Sequence, residues 1–218
     1  GKAILNIPQL NKGTAFSTEE RHAFGLIGKL PPQVESIDDQ VKRAYHQFSS
    51  YDEPINKNIF LNQILTNNQT LFYQSISEHL EEMLPTVYTP IVGNAVKKFH
   101  KKFLHPRGLY ISYNDIDHID EILDNRSNAD VKLIVVSDGE GVLGIGDQGV
   151  GAMMIPIAKL MVYTAIGKIN PNHTLPIMID AGTNNEYLLN SPYYLGWRHE
   201  RISGDEYDKF ISKIIDAI

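Results

Sequence analysis

Cysteine, long apolar runs and an excess of basic residues are all missing from this sequence of 218 residues. Without cysteine there is neither a disulfide framework nor thiolate chemistry. Without an apolar run of about 18 residues or a charged-then-apolar start, neither a membrane span nor a signal peptide is predicted. The net charge of −6 argues against a nucleic-acid partner. We therefore expect a cytoplasmic protein whose partners include neither membranes nor nucleic acids.

The residues that are present suit a globular chain with a buried core, since 42% of them are hydrophobic and 21% are charged. Over the first hundred residues the patterns are helical. Ser17 with Glu20 and Ser36 with Asp39 are predicted capping boxes at helix starts. Apolar periodicity predicts longer helices over 37–49, 57–66, 70–84 and 91–103.

Beyond Pro106 the pattern changes to short β-branched runs that alternate with helical segments. This alternation indicates an α/β fold in which a small, largely parallel sheet is flanked by helices. We predict a helical N-terminal region over 1–105 and an α/β region over 106–218. The apolar stripe of the last helix reaches Ile218 without a stop signal, so we expect the chain to be part of a longer protein. Strands are predicted over 108–113, 132–138, 142–146 and 175–181, and helices over 117–124, 156–167, 184–190 and 205–218.

Lys159 interrupts an otherwise apolar helix that follows a glycine-rich loop. At helical spacing it shares a face with Ile155, Val162, Tyr163 and Ile166. A cation there must reach water, pair with an acid or lose its proton, since burying an isolated ammonium is costly. A neutral amine is what a general base needs. Two interpretations stay open, a lysine whose stem covers the core while its head reaches water, and a catalytic base.

The loop before this helix matches the dinucleotide fingerprint G-x-G-x-x-G at Gly144, Gly146 and Gly149. Two features weaken the match. The helix is predicted to begin only at Pro156, and no acid lies about 20 positions downstream to hold a ribose. A tight turn that presents backbone amides is the simpler interpretation.

Tyr88 lies in the segment LPTVYTPIVG, between two predicted helices. Pro85 is predicted to end one helix, and Thr89 and Pro90 are predicted to be the N-cap and first residue of the next. Free amides at a helix N-terminus favour anions, and a tyrosine there can act as an acid toward an enolate. The alternative is a hydrophobic staple, in which Tyr88 packs onto its own helix.

Four acids fall in loops at predicted strand ends, where α/β proteins bind ligands. Carboxylates bind hard divalent cations, but Asp before Gly is first of all a turn signal. The sequence therefore leaves open a metal site at this edge, formed by Asp138, Glu140, Asp147 and Asp180.

Several ordered blocks resemble the malic enzyme family over nearly the whole chain, from about residue 10. The resemblance covers only that family's N-terminal, substrate-side portion. It therefore implies that the family's Rossmann NAD domain and its metal-binding acids lie outside this chain. The blocks include NKGTAF (11–16), LPTVYTPIVG (84–93), PRGLYIS (106–112), VVSDGEGVLGIGDQG (135–149), IPIAKLMVYTA (155–165) and LPIMIDAGTNNE (175–186).

The resemblance implies oxidative decarboxylation of L-malate to pyruvate and CO2, with NAD or NADP reduced and Mg²⁺ or Mn²⁺ required. By motif, Lys159 matches the general base that takes the C2 hydroxyl proton. Tyr88 matches the general acid that protonates enolpyruvate at C3. The family forms dimers and tetramers, so a homo-oligomer is expected. The chain alone is expected to hold no cofactor or metal and to be inactive.

Position 141 departs from the family, where the loop at 137–141 usually reads D-G-E-R and the arginine helps to hold substrate and nicotinamide. Here the residue is Gly141, which is the candidate of this chain for binding the cofactor. The Glu140–Gly141 pair, with LMVYTA and YLGWRHER downstream, is similar to malolactic enzymes, which convert malate to lactate and CO2 with NAD kept bound. The blocks PRGLYISY, GTNNE and YLGWR are instead similar to bacterial NAD-linked malic enzymes, so we expect an enzyme of that kind. The alternatives are a malolactic enzyme and a non-catalytic module that binds dicarboxylates.

Overall fold

The computed structural model of the protein describes residues 3–103 and 105–218. These residues form two compact units, the first ending at Ile91 and the second beginning at Val92. The two regions predicted from the sequence, 1–105 and 106–218, stay a prediction as domains. Within the described ranges, no helix combines the length and the apolar character needed to cross a membrane.

The described part of the first unit is helical throughout. It contains α1 (Thr18–Ala23), α2 (Ile37–Ser49), α3 (Pro54–Asn67), α4 (Gln69–Glu78) and α5 (Leu80–Val87), preceded by 3-10 turns at Ile4–Asn6 and Gly13–Ala15. Both predicted capping boxes are confirmed, because the side chains of Ser17 and Ser36 accept hydrogen bonds from the backbone N–H groups three residues on. Apolar side chains fill the core of the unit, among them Val41, Phe48, Leu61, Phe72, Ile76 and Met83.

Two details of the first unit differ from prediction. The helix predicted over 70–84 is two helices, because the chain bends at His79 (φ −122°, ψ 43°). The prediction that Pro85 ends a helix is wrong, since α5 continues through it to Val87. Burial of Thr86 and a 2.9 Å hydrogen bond from the Asn58 amide to the Thr86 carbonyl hold this last turn. These contacts offset the backbone donor that a proline removes.

The second unit begins with a helix and then alternates strands with helices, which confirms the predicted α/β class. The 3-10 segments Tyr113–His118, Gly149–Met153 and Pro171–His173 precede α7, α8 and β3. The elements are α6 (Val92–Lys102), β1 (Leu109–Ser112), α7 (Ile119–Asp124), β2 (Leu133–Ser137), α8 (Met154–Ala165), β3 (Thr174–Asp180), α9 (Glu186–Asn190) and α10 (Gly204–Ala217).

The strands of this unit form one parallel sheet in the order β1-β3-β2. Ile177 in β3 pairs with Leu109 on one side and with Val136 on the other. The central strand β3 is almost entirely buried, as expected for a parallel strand that is covered on both faces. Its residues Leu175, Ile177 and Ile179 belong to a core cluster with β1, α7 and α10 that also includes Ile111, Ile119, Phe210 and Ile214.

The strand predicted over 142–146 is wrong. These residues form a tight turn in which the backbone N–H and C=O groups of Val142 and Gly146 bond to each other. Gly144 and Gly146 have φ values of 81° and 71°, which lie outside the range of a β-strand. The turn reverses the chain between β2 and the helical segment that follows.

Candidate functional site

The carboxyl ends of β2 and β3 lead into two loops that meet at Asp147. The glycine-rich loop covers residues 138–148, and the β3 loop covers residues 181–185. The Asp147 carboxylate accepts hydrogen bonds from the Thr183 hydroxyl (2.9 Å) and the Asn184 backbone N–H (2.8 Å). The Asn185 side-chain amide donates to the Asp147 carbonyl at 2.8 Å. Asp147 therefore joins the two loops at the edge of the sheet.

Arg201 lies shortly before α10 and binds the same carboxylate through two nitrogens of its guanidinium group. Its Nε lies 2.8 Å from Asp147 Oδ2, and its Nη2 lies 2.9 Å from Asp147 Oδ1. Only 5% of the Arg201 side chain and 16% of the Asp147 side chain are exposed, so solvent screens this ion pair weakly. Nη2 also donates to the Asp138 carbonyl at 3.0 Å. The ion pair thus connects the segment before α10 with the glycine-rich loop.

The surroundings of this pair keep both partners charged. Burial opposes ionisation of Asp147, but hydrogen bonds from Arg201, Asn184, Gly149 and Thr183 hold its pKa below the ordinary value. Burial also opposes the charge on Arg201, and the neighbouring Asp147 outweighs it and raises the Arg201 pKa. The pair is therefore ionised at neutral pH.

The other acids of the sheet edge are engaged in separate contacts. Buried Asp180 accepts hydrogen bonds from the backbone N–H groups of Trp197 (2.6 Å) and Gly182 (3.2 Å), and burial raises its pKa against these bonds. Asp138 accepts a hydrogen bond from the Tyr207 hydroxyl at 2.7 Å.

The metal site that the sequence left open at Asp138, Glu140, Asp147 and Asp180 does not form. Among residues 3–103 and 105–218, no three or more His, Asp or Glu side chains are grouped so as to hold a metal ion. The physical reason is that the Asp147 carboxylate already binds a guanidinium and that Asp180 points to backbone amides. The described residues therefore do not fit a metal ion at this edge.

Lys159 lies in the middle of α8, and its side chain is half-buried. The helix face that Lys159 shares with apolar residues is more exposed to solvent than expected, because Tyr163 is 40% exposed and Ile166 is 53% exposed. Lys159 therefore lies at the border between the core and an open face, and both interpretations of it stay predictions. The buried side of the helix consists of Pro156, Ile157, Ala158, Leu160 and Met161.

The helix that carries Lys159 begins earlier than predicted. It starts at Met154 rather than at Pro156, directly after the 3-10 turn Gly149–Met153. The backbone N–H of Gly149 donates to Asp147 Oδ1 at 2.9 Å. The helical run from Gly149 to the end of α8 therefore starts at the buried ion pair.

Each glycine of the G-x-G-x-x-G match has a structural role. Gly144 and Gly146 take positive φ values in the tight turn, as the simpler interpretation of the sequence predicts. Gly149 has a φ of 50°, and a Cβ at this position would lie 2.1 Å from the Tyr194 hydroxyl. A side chain at position 149 is therefore excluded by the close approach of Tyr194.

Tyr88 directly follows α5 in the first unit and is half-buried. Its backbone N–H donates to the Leu84 carbonyl at 3.1 Å, so it ends a helix. The prediction that Thr89 and Pro90 begin the next helix is wrong, because residues 89–91 form a turn with a cis Thr89–Pro90 peptide and α6 begins at Val92. The acid and staple interpretations of Tyr88 both stay predictions.

Gly141 lies in an exposed turn after β2. No heavy atom lies within 4 Å of a Cβ built at this position, and its φ is not in the left-handed region. The backbone therefore has room for the arginine that the resemblance leads one to expect, and packing does not require glycine here. The cofactor-side role of this position stays a prediction.

Sequence reasoning missed Arg201 and Tyr207. They bind Asp147 and Asp138 over separations of 54 and 69 positions, so no local spacing links the partners. The block YLGWRHER contains Arg201, but there it only supports the family resemblance. The ion pair becomes visible once the sheet brings its edge loops together.

Comparison with known proteins gives the family. A sequence model described as "Malic enzyme, N-terminal domain" matches residues 65–218. Over all 218 residues, the chain is 56% identical to a protein named NAD-dependent malic enzyme from Idiomarina loihiensis and 52% identical to one named NAD-dependent malic enzyme 2 from Vibrio vulnificus. An NAD-dependent malic enzyme from Acinetobacter baylyi is also 52% identical. The chain spans 39%, 39% and 38% of the lengths of these relatives. It belongs to the malic enzyme family and corresponds to that family's N-terminal domain.

Proposed function

We propose that the chain is the substrate-side part of an NAD-dependent malic enzyme, which converts L-malate to pyruvate and CO2. The observation that carries this proposal is the position of Lys159. It is a half-buried amine on an apolar helix that starts at the ligand-binding edge of a parallel sheet. The identity of 56% to a protein named NAD-dependent malic enzyme supports the choice of reaction.

Lys159 is the general base of the proposed reaction. Its amine takes the proton of the C2 hydroxyl of malate while the hydrogen on C2 leaves as hydride, which creates a carbonyl at C2. NAD, which the names of the relatives include, would supply the hydride acceptor when it is bound. A requirement for Mg²⁺ or Mn²⁺ belongs to the proposed full-length enzyme, and we assign none of the described residues to that ion.

Tyr88 is the general acid of the proposed reaction. Once C2 is a carbonyl, the carboxylate on C3 leaves as CO2 and its electron pair forms the enolate of pyruvate. The Tyr88 hydroxyl then donates a proton to C3 and completes pyruvate. The segment LPTVYTPIVG, in which the chain resembles the malic enzyme family, supports this role. The hydrogen bond from the Tyr88 backbone N–H to the Leu84 carbonyl fixes the residue at the end of α5.

The products formed by the full-length protein test the proposal. With L-malate and NAD, a malic enzyme forms pyruvate and NADH in equal amounts, and both can be followed by enzymatic assay and absorbance. Gly141 favours a second candidate, a malolactic enzyme, because glycine replaces the arginine that most malic enzymes have there. Lactate with no net NADH would support that candidate. Binding of malate without either product would support a non-catalytic module.

The chain by itself is proposed to be inactive and to bind NAD weakly. It spans 39% of the length of the relative from Idiomarina loihiensis, and the described residues hold no metal-binding cluster. A malate-dependent rate of NADH formation from the 218-residue chain alone would contradict this part of the proposal.

We also propose that the full-length protein is a cytoplasmic dimer or tetramer. Light scattering of the purified full-length protein measures its mass directly. A mass equal to that of a single chain would contradict the proposed oligomer.

A further inference from the structure

The ion pair between Asp147 and Arg201 lies at the start of the helical run that carries Lys159. From Gly149, which donates its N–H to Asp147 Oδ1, the chain continues as the 3-10 turn and then as α8 without an intervening loop. Every residue of the turn Gly149–Met153 is buried, so packing also holds the start of the run. One continuous helical run therefore connects the residue bonded to the Asp147 carboxylate with Lys159.

Arg201 is fixed independently of Asp147. Its backbone N–H donates to Asn184 Oδ1 at 3.0 Å, and the next residue, buried Ile202, donates its N–H to the Ala181 carbonyl at 3.0 Å. Its Nη2 also donates to the Asp138 carbonyl. The backbone at Arg201 is therefore fixed to the β3 loop, and the bond from Nη2 to Asp138 holds the guanidinium group against which Asp147 is placed.

The fork geometry of this pair matters as well as its charge. A guanidinium group presents two parallel N–H donors to a carboxylate and so fixes both its position and its orientation. An ammonium group in the same place keeps the charge but acts as a single point and leaves the carboxylate free to rotate. Replacing Arg201 by lysine therefore separates orientation from charge.

We propose that Asp147 and Arg201 form a positioning pair, which sets the place of the Lys159 amine by fixing the start of the helical run Gly149–Ala165. Neither residue contacts the reacting atoms in this proposal. The inference rests on the proposed function of Lys159 as general base. Because a misplacement of about 1 Å can cost about 10²-fold in rate, a small rotation at Asp147 has a measurable effect.

The test uses Arg201→Lys and Asp147→Asn in the full-length protein. For each variant, kcat and KM for malate are measured by NADH formation and corrected for the folded fraction by circular dichroism. We expect kcat to fall by about 10- to 100-fold, whereas KM for malate changes far less. The deuterium isotope effect with malate labelled at C2 should be at least as large as in the wild type, because cleavage of the C2–H bond is the step that is slowed.

The matched control is Arg21→Lys in the first unit. Arg21 is a buried residue as well, and its guanidinium group donates to the carbonyls of Phe16, Pro31 and Thr14. Its replacement breaks buried hydrogen bonds and should lower the melting temperature while kcat stays near the wild-type value. A normal kcat in either sheet-edge variant, an equal fall in Arg21→Lys, or a reduced isotope effect would overturn the positioning role.

Failure of this inference can be told apart from failure of the proposed function. If Lys159→Ala keeps full activity, Lys159 is not the base and the proposed function itself is wrong. If Lys159→Ala is inactive and Arg201→Lys is fully active, only the positioning role is wrong.

Discussion

The two residues proposed to carry the chemistry are supported in different ways. Lys159 lies on a helical run that starts next to Asp147, and Asp147 forms an ion pair with Arg201, which is 54 positions away in the sequence. Tyr88 follows α5 in the first unit, where its backbone N–H donates to the Leu84 carbonyl and where Thr86 and Val87 of the last helical turn are buried. Changes at the sheet edge should therefore impair the step that needs Lys159 and spare the step that needs Tyr88.

Lys159→Ala in the full-length protein should have the largest effect on activity. Without the amine the oxidation step loses its base, so NADH formation from malate should fall near the upper end of the ~10²–10⁴-fold range for a lost proton-transfer group. Lys97→Ala, which removes an exposed lysine of α6, is the control and should leave the rate unchanged. Wild-type activity of Lys159→Ala would mean that the lysine only covers the core.

Tyr88→Phe should impair the later step and leave the earlier one intact. Steady-state formation of pyruvate should fall by about 10²–10⁴-fold, because protonation at C3 loses its acid. The first turnover of NADH, measured by rapid mixing, should stay close to that of the wild type. Tyr51→Phe, at a tyrosine that is 37% exposed, serves as control. Near-normal steady-state turnover of Tyr88→Phe would support the staple interpretation.

Asp147→Ala should destabilise the fold far more than loss of a surface ion pair. It leaves the Arg201 guanidinium buried without its partner, for which we expect a loss of about 3 kcal/mol in the free energy of unfolding. Asp117→Ala is the control, since it breaks a pair with Lys213 in which the carboxylate side chain is 86% exposed and should cost about 0–1 kcal/mol. Denaturant unfolding at neutral pH measures both, and equal small losses would mean that water screens the buried pair.

Mild acid should weaken the packing around the helical run that carries Lys159. His100 contacts this run near Gly151, and burial lowers the pKa of His100 from 6.5 to about 4, with nearby Arg198 acting in the same direction. Between these values the unfolded chain binds a proton that the folded chain does not bind. The stability contributed by the neutral ring is therefore present above pH 6.5 and is lost as the pH falls toward 4.

The pH dependence of unfolding in His100→Gln tests this effect. Over the same pH interval its free energy of unfolding should change less than that of the wild type. His46→Gln, at an exposed histidine of α2, should keep the wild-type pH dependence. Parallel curves for the wild type and His100→Gln would contradict the effect.

Most of the helices and the central strand could be predicted because their signals are local. The capping boxes at Ser17 and Ser36 join groups three residues apart, so the spacing of the sequence contains them. The apolar run of β3 also marks a strand that is buried on both faces. Local patterns therefore place these elements without knowledge of the tertiary structure.

The sheet edge could not be predicted in the same way. The run at 142–146 has the composition of a strand, and only the backbone angles of Gly144 and Gly146 make it a turn. The partner of Asp147 is Arg201, and folding alone brings the two residues together. The sequence places several acids in the loops after the strands, but no local pattern indicates that the buried guanidinium group of Arg201 binds one of them, Asp147.

Rescue of the Lys159→Ala variant by small amines tests the central claim most directly. NADH formation from malate is measured in the full-length variant with increasing concentrations of an alkylamine such as methylamine. If Lys159 supplies the base, the added amine should restore part of the lost rate, and the restored rate should grow with pH as more amine is uncharged. The claim would be contradicted if Lys159→Ala without added amine already turned over malate at the wild-type rate and if the amine had no effect on that rate.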